Sequence, residues 1–533
     1  MLAGKRCDCK VTKPRIAIFS GPNATVANSP PLVTSNKGRL QEERKLVGRY
    51  DHLVPQILYE SVTVKIKKFS AHPLEVDSRE VYHDNGKDYY EVTLHPEDGP
   101  YLLPYVARRK DGSKNGVPFE AADMWNPAIG FGGRQFFYPD ASRIFDEIDR
   151  TISGRTPDGE GNALNKRANF DYIRVLPPGG YKLKQEVSGV HYFPYRPEPI
   201  AKIIRSRDLA TAANIVQESL RRSYTGGVWL DGSPQLEESL YWFNLLIDTG
   251  LPIAGVAGQR PHGEVSCDGD RNIVDAVDYV ISGKGNGLGV VGVSDQVIFA
   301  SREFKKADAR PGNYKATGGH GGILGSIKEG VTIWYKPAYK HTHSSDVNLT
   351  KLPPAHEFSD GTRTRLLDED GKLIAQTIPR VRIIKYASYS QEDESGDPRG
   401  EVDINAWVEQ AMRDQSADSK GRPKLHGLVF EGLSPYAVGG PAQMRGLWFA
   451  AASGLPVVRV GRSDPGGKVI TDPNDLTIEG NNLDSTKARL LLIASMLKLG
   501  RLPKAADPHN PSNDERRAII EKVAEFQAIF DTH

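Results

Sequence analysis

The chain has 533 residues, a formal net charge of +2, 38% hydrophobic residues and 26% charged ones. That length accommodates two folded units and a sizeable insertion. The near-balance of charge gives no electrostatic reason to expect nucleic acid or an acidic membrane as partner, and no run of about eighteen apolar residues offers a membrane helix. The cysteines, Cys7, Cys9 and Cys267, are odd in number and form no disulfide framework. The basic N-terminus lacks an apolar signal core, so a cytoplasmic location is expected.

In chain order, a tail over 1–14 leads into Arg15 to Ser20 (RIAIFS), a compact apolar strand. It ends in a loop of small and polar residues, Gly21 to Pro30. A hydroxyl such as that of Thr25 there suits a nucleophile, and suits equally the turn hydrogen bonds that Ser and Thr make. Residues 40–195 carry many hairpin patterns. Ser61 to Phe69 alternates strictly, and Asp84-Asn85-Gly86 is a strong turn signal before Tyr89 to Leu94. Ile173 to Leu176, the turn Pro177 to Gly180 and a continuation from Tyr181 predict another hairpin. The aromatic, glycine-rich stretch Met124 to Tyr138 suits the packed core of a loop-rich insertion, a pocket lining or a subunit contact. Pro199 to Ile204 reads as a strand. Asp208 is an N-cap candidate for a helix with Ala212, Ile215, Val216 and Leu220 on one face. Arg207 beside it is fitted to a planar anion, or to a surface ion pair.

Thr225 to Val277 reads as strand, polar turn, helix, strand, polar loop, helix. The strand Gly226 to Leu230 runs into Asp231-Gly232-Ser233-Pro234. Leu236, Leu240, Phe243 and Ile247 then recur at helical spacing. Leu251 to Val256 is the next apolar strand, and the crossover through the helix makes the pair parallel. In such a unit the polar turn lies at the carboxyl end of the strands, where open α/β sheets hold ligands. The second polar loop, Gln259 to Asp270, opens onto the same edge. Ser233 followed by Pro234 is also a good helix start, with serine at N-cap and proline at N1.

Gly287 to Val293 and Val297 to Ala300 form a strand pair around Ser294-Asp295-Gln296. The glycines at 283, 285, 287 and 289 precede a strand and do not link strand to helix, which excludes a nucleotide loop. Lys340 to Arg380 is polar and turn-rich, a linker with a small hairpin. His341, His343 and Asp346 within it read as a solvated loop, and no metal is expected. Pro379 opens a further α/β segment, with a helix over Ile404 to Met412, a strand over Leu425 to Glu431, and a strand in Gly454 to Arg462. A helix lies within Gly480 to Leu499, and a last helix begins at the capping box Ser512 to Glu515.

The string GSPQLEES, then GQRP about two dozen residues on, then SCDGDRNIVDAV resembles the second signature region of bacterial-type L-asparaginases and glutaminases. There the pattern reads close to HGTDTMEET, GAMRP and SADGPFNL. IAIFSGPNATVA is similar to that family's ITILATGGTIA with one residue inserted, IIRSRDLAT to NIGSQDMND, and SREFKKAD to ARDVTKTNT. The resemblance covers roughly 15–36, 201–330 and 379–500.

The resemblance implies a two-domain α/β fold: a larger flavodoxin-like parallel sheet over 15–335 interrupted by a β-rich insertion at about 40–195, a linker over 336–378, and a smaller α/β domain over 379–533. It implies Thr25 as nucleophile (Ser20 in another register), with Ser233 and Lys306 moving protons. A buried lysine beside a serine hydroxyl can have its pKa lowered enough to act as a general base. Ser206, Arg207, Gly232 and Pro234 fall on substrate-binding positions. Three departures stand out. Leu32 to Arg39 has no tyrosine where the family's lid carries one, Pro234 replaces the aspartate that pairs the substrate amine, and Gly432-Leu433-Ser434-Pro435 lacks the family's asparagine. The expectation is a cofactor-free amidohydrolase, a homodimer or homotetramer, acting on a small linear or cyclic amide without a free α-amino group. The alternatives are a true asparaginase or glutaminase, and a non-catalytic relative that binds a metabolite or partner.

Overall fold

The computed structural model describes residues 14–21, 50–53, 62–67, 89–94, 171–175, 205–221, 224–259, 268–328, 330–357, 363–386, 404–413, 425–462 and 475–533. Thr25, Met124 to Tyr138 and Pro199 to Ile204 lie outside the described residues.

The elements of the first part are β1 (Arg15–Ser20), β2 (Tyr50–Leu53), β3 (Val62–Lys67), β4 (Tyr89–Leu94), β5 (Asp171–Val175), α1 (Ser206–Leu220), β6 (Gly226–Leu230), α2 (Leu236–Leu246), β7 (Ile253–Val256), α3 (Gly269–Ile281), β8 (Val290–Ser294) and β9 (Val297–Ala300). They continue with β10 (Phe304–Lys306), β11 (Tyr314–Ala316), β12 (Ile323–Ile327) and β13 (Val331–Ile333). A nine-stranded sheet runs β13-β12-β9-β8-β7-β6-β1-β5-β2. Its parallel centre, β5-β1-β6-β7-β8, follows the chain order 2-1-3-4-5, the flavodoxin-like arrangement.

The apolar runs alternate between two faces, as period-two strands must. Ala17, Phe19 and Trp229 pack with α1 and α2, whereas Ile16, Ile18, Val228 and Leu230 pack with α3. The steps β6 to β7 and β7 to β8 go the same way across the sheet, yet α2 and α3 cover opposite faces. One of these two crossovers is therefore of the left hand, which about 2% of such units adopt. Glycine permits the close approach on the α2 side, because a Cβ at Gly255 would lie 2.1 Å from Leu240 Cδ2.

The β3–β4 hairpin forms as its alternation predicts, with Val62 opposite Leu94. The expectation for Ile173 to Leu176 is corrected. Asp171–Val175 pairs parallel with β1 and antiparallel with β2, which takes both its edges, so this part of 40–195 extends the main sheet; the turn Pro177 to Gly180 and the continuation from Tyr181 lie outside the described residues. Apolar alternation fixes which face a strand buries and leaves its partner open. Asp208 sits in the third position of α1, not at its cap, and accepts from the Arg205 backbone N–H at 2.9 Å. The β8–β9 hairpin turns at Asp295 and Gln296, both with positive φ (49° and 65°), as a tight two-residue connection requires.

Downstream lie the small hairpin β14 (Ala355–Glu357) and β15 (Arg363–Arg365), then β16 (Val381–Lys385), α4 (Ile404–Arg413), β17 (Gly427–Gly432), α5 (Pro441–Ala452), β18 (Val457–Gly461), β19 (Ile478–Glu479), α6 (Ser485–Leu499) and α7 (Asn513–Phe530). β16 to β19 form a second, parallel sheet. The capping box predicted at Ser512 is present: its hydroxyl accepts from Glu515 N–H, and the Glu515 carboxylate accepts from Ser512 N–H. One apolar cluster joins α2 of the first sheet to α6 and β16–β18 of the second.

Candidate active site

The topological switch point of the parallel sheet is where strand order reverses, between β1 and β6, and ligands collect there at the carboxyl edge. β1 is followed by Gly21 and β6 by Asp231. Gly21 N–H donates to Leu230 O at 2.6 Å, and a side chain on Gly21 would collide with the Asp231 carboxylate.

Asp231 is fully buried and organises the turn that follows β6. Its carboxylate accepts from Trp229 Nε1 (2.9 Å), Gly232 N (2.8 Å) and Ser239 Oγ (2.7 Å). A buried carboxylate is tolerated when such donors replace its hydration. Gly232, also buried, accepts with its carbonyl from the N–H groups of Gln235 and Leu236, closing the turn.

That geometry corrects the expected helix start. α2 begins at Leu236 with Gln235 at N-cap, so Ser233 and Pro234 lie in the preceding turn and Ser233 caps nothing. Its hydroxyl is instead 2.7 Å from Lys306 Nζ, which donates to it. Ser233 is only 7% exposed, and the Tyr314 hydroxyl donates to its carbonyl at 3.2 Å. Pro234 is exposed.

Lys306 reaches this point by an indirect path. β9 runs back toward the amino edge, and the chain then returns across the sheet through β10. Phe304 lies against Gly292 of β8, where a Cβ would stand 2.6 Å from the Phe304 ring. Phe304 also stacks on Tyr314 with ring centroids 4.4 Å apart. Burial lowers the proton affinity of the Lys306 ammonium below that of an ordinary lysine, against the opposing fields of Glu237 and Asp308. A lysine so biased, on a serine hydroxyl, can take up and return a proton.

The surrounding charges come from residues for which the resemblance implies no role. The Lys306 backbone N–H donates to Glu237 Oε2 at 2.6 Å. Burial raises the Glu237 pKa, with the Lys306 N–H and the Lys487 and Lys305 ammoniums working against it. Lys305 pairs with Asp484 at 2.8 Å. Burial alone would raise Asp484, but Lys487 and Lys305 hold it well below the usual carboxylate range. Lys487 lies in the first turn of α6, and nothing in Ser485-Thr486-Lys487-Ala488 marks it in the sequence.

Among the other predicted positions, Arg207 is exposed on the first turn of α1, where Ser206 is the first helical residue. Among the described residues, Arg207 makes no hydrogen bond or ion pair to Ser233 or Lys306. Thr25 lies outside them. His341 bonds the carbonyls of Tyr339 (2.9 Å) and Gly287 (3.0 Å), and no group of three or more His, Cys, Asp or Glu among the described residues is placed to hold a metal ion. No helix among them is long and apolar enough to cross a membrane.

Fold and site define a mixed α/β protein with a serine–lysine pair at the switch point of a parallel sheet. Residues 200–338 match the family model described as asparaginase, N-terminal. The chain is 29% identical over 151 residues to the glutaminase-asparaginase of Acinetobacter glutaminasificans, covering 28% of this chain and 45% of that protein. It is 32% identical over 140 residues to the glutaminase-asparaginase of Pseudomonas fluorescens biotype A, covering 26% and 38%. With L-asparaginase 2 of Bacillus subtilis (strain 168) it shares 24% identity over 278 residues, 51% of this chain and 61% of that protein. The chain thus spans less than two thirds of the length of these relatives. It is asparaginase-like, and divergent.

Proposed function

We propose that the protein is an amidohydrolase that cleaves a carboxamide, lactam or imide C–N bond at the carboxyl edge of the nine-stranded sheet. The observation that carries this reading is the 2.7 Å contact between Lys306 Nζ and the nearly buried Ser233 hydroxyl. In the proposed reaction the Thr25 oxygen adds to the carbonyl carbon, and its proton passes to the Ser233–Lys306 pair. The oxyanion collapses, the C–N bond breaks, and the amine leaves with a proton returned from Lys306. Water then attacks the ester, releasing the acid and restoring the Thr25 hydroxyl. Ser206 and Arg207, at the start of α1, hold a carboxylate or another polar end of the substrate in this reading, and the enzyme works as a homodimer or homotetramer.

Pro234 supports a substrate without a free α-amino group. A neutral, exposed ring stands where a carboxylate would pair an ammonium, and binding sites discriminate strongly through such charged partners. The Ser233–Lys306 contact is also, by itself, a nucleophile–base pair, which favours one specific second reading in which Ser233 attacks the carbonyl.

Ammonia release from asparagine, glutamine and succinamic acid, and conversion of glutarimide to its ring-opened amic acid followed by chromatography, compared among wild type, Thr25→Ala, Ser233→Ala and Lys306→Ala, separate these readings. Turnover of succinamic acid or the imide, lost in all three variants, is the expected result. Activity surviving only in Thr25→Ala assigns the nucleophile to Ser233. Rapid release from asparagine refutes the substrate assignment. Binding without turnover, unchanged in all three variants, sinks the enzyme reading in favour of a metabolite-binding relative.

A further inference from the structure

The strand that delivers Lys306 has an unusual neighbour. Among the described residues, β10 pairs with β11 on one side only. Ala307 N–H bonds Asn313 O, and Glu303 O accepts from Thr317 N–H, so the odd-numbered backbone groups face β11. By the two-residue alternation of a strand, the backbone groups of Phe304 and Lys306 point to the other edge. Among the described residues no strand lies there. Two charged side chains take its place: Lys487 Nζ donates to Phe304 O at 2.7 Å, and Glu237 Oε2 accepts from Lys306 N–H at 2.6 Å.

These side chains come from different parts of the protein. Glu237 is in the first turn of α2, four residues after Ser233. Lys487 is in α6, above the second sheet, is 2% exposed, and also donates to the carbonyls of Ser301 (2.9 Å) and Arg302 (2.7 Å). The free edge of β10 is therefore held by a carboxylate and an ammonium.

We propose that Glu237 is a positioning residue for the Ser233–Lys306 pair, fixing the lysine through its backbone and biasing its ammonium through charge. This rests on the amidohydrolase reading of that pair. Ser233 and Glu237 bracket the turn into α2, so a carboxylate at 237 that grips the backbone of residue 306 sets the spacing between the two functional groups. Its negative charge acts on Lys306 from the same point. Among the described residues, the charges that face Glu237 are Lys305 and Lys306 from β10, Asp484 at the N-cap of α6 and Lys487 within that helix. Those that face Lys306 are Glu237 from α2 and Asp308 just past β10.

Two variants separate placement from charge. Glu237→Gln keeps an oxygen for the Lys306 N–H and removes the charge; Glu237→Ala removes both. The proton affinity of Lys306 is read without reference to turnover, as the pH dependence of its acetylation by limiting acetic anhydride, followed on the Lys306 peptide by mass spectrometry in the full chain. Its midpoint is expected to fall by roughly one pH unit in Glu237→Gln, since a nearby negative charge favours the ammonium. With the amide that the wild type cleaves, Glu237→Ala is expected to lose about 10- to 100-fold in kcat with KM within about threefold, and Glu237→Gln to recover most of that kcat. An unchanged Lys306 midpoint in Glu237→Gln, or a Glu237→Ala enzyme with wild-type kcat, overturns the proposal. Wild-type turnover in both Ser233→Ala and Lys306→Ala fells the catalytic reading of that pair instead, and absence of amide turnover in the wild type fells the amidohydrolase reading; in either case the acetylation midpoint still decides whether Glu237 governs the lysine.

Discussion

Lys487→Met tests how strongly the chain depends on a cation in its interior. Lys487 donates to three backbone carbonyls, at 2.9, 2.7 and 2.7 Å, and is the main positive charge facing Asp484 and Glu237. Methionine preserves the length and the apolar stem but offers no donor. An unsatisfied buried polar group costs about 1–3 kcal/mol, so three carbonyls set a gross loss of roughly 3–9 kcal/mol. Against this stands the desolvation of the ammonium, several kcal/mol that the variant no longer bears. The net destabilisation expected is about 3–5 kcal/mol, the range for breaking a buried charged network by removing one partner. That is a large share of a total stability of roughly 5–15 kcal/mol. Urea titration followed by circular dichroism measures it, with an unchanged m value showing that the extent of unfolding is the same. A loss below about 1 kcal/mol at constant m would refute the reasoning, because it would mean that the carbonyls of Ser301, Arg302 and Phe304 need no donor from α6.

Two further perturbations probe the site and the sheet. Pro234→Asp returns a carboxylate to the turn beside Ser233, and should raise kcat/KM for asparagine relative to succinamic acid at least about tenfold; steady-state ammonia release measures the ratio, and an unchanged ratio contradicts the role given to Pro234. Asp275, in α3, has its carboxyl pushed up to about 6 from 3.8 by burial, with the Arg271 guanidinium 2.7 Å away offsetting only part. A raised folded-state pKa gives stability that is complete below about pH 4 and is lost as pH rises through 6, a difference of up to about 3 kcal/mol at pH 8. Asp275→Asn should remove that dependence, and thermal melts of the two proteins with equal pH profiles between 4 and 8 would count against it.

Local pattern carried the elements around the site. Leu236, Leu240 and Phe243 are buried on α2 because three-to-four spacing puts them on one face, and the Asp295–Gln296 turn formed because two short apolar strands flank a polar pair. The partner of Asp171–Val175 was not legible, since a strand's alternation does not name its neighbour. The role of Ser233 was ambiguous for a different reason: Ser-Pro fits a helix cap, and only the approach of Lys306, carried back across β8 by Phe304 on Gly292, decides where the hydroxyl is used. Glu237 and Lys487 were missed because their partners are backbone groups of β10, and no sequence spacing encodes a free strand edge.

The apolar cluster that runs from α2 into α6 also bears on how the protein can be divided. Leu240, Tyr241 and Leu245 on one side and Leu490, Leu491 and Ala494 on the other belong to one buried mass, and Arg489 reaches Glu238 across it at 2.9 Å. A fragment ending after the first sheet would carry α2 with that flank bare, an exposed apolar patch that drives self-association. The serine–lysine site thus has no autonomous half: cutting the gene between the two sheets removes the counter-surface on which the helix behind the site is built.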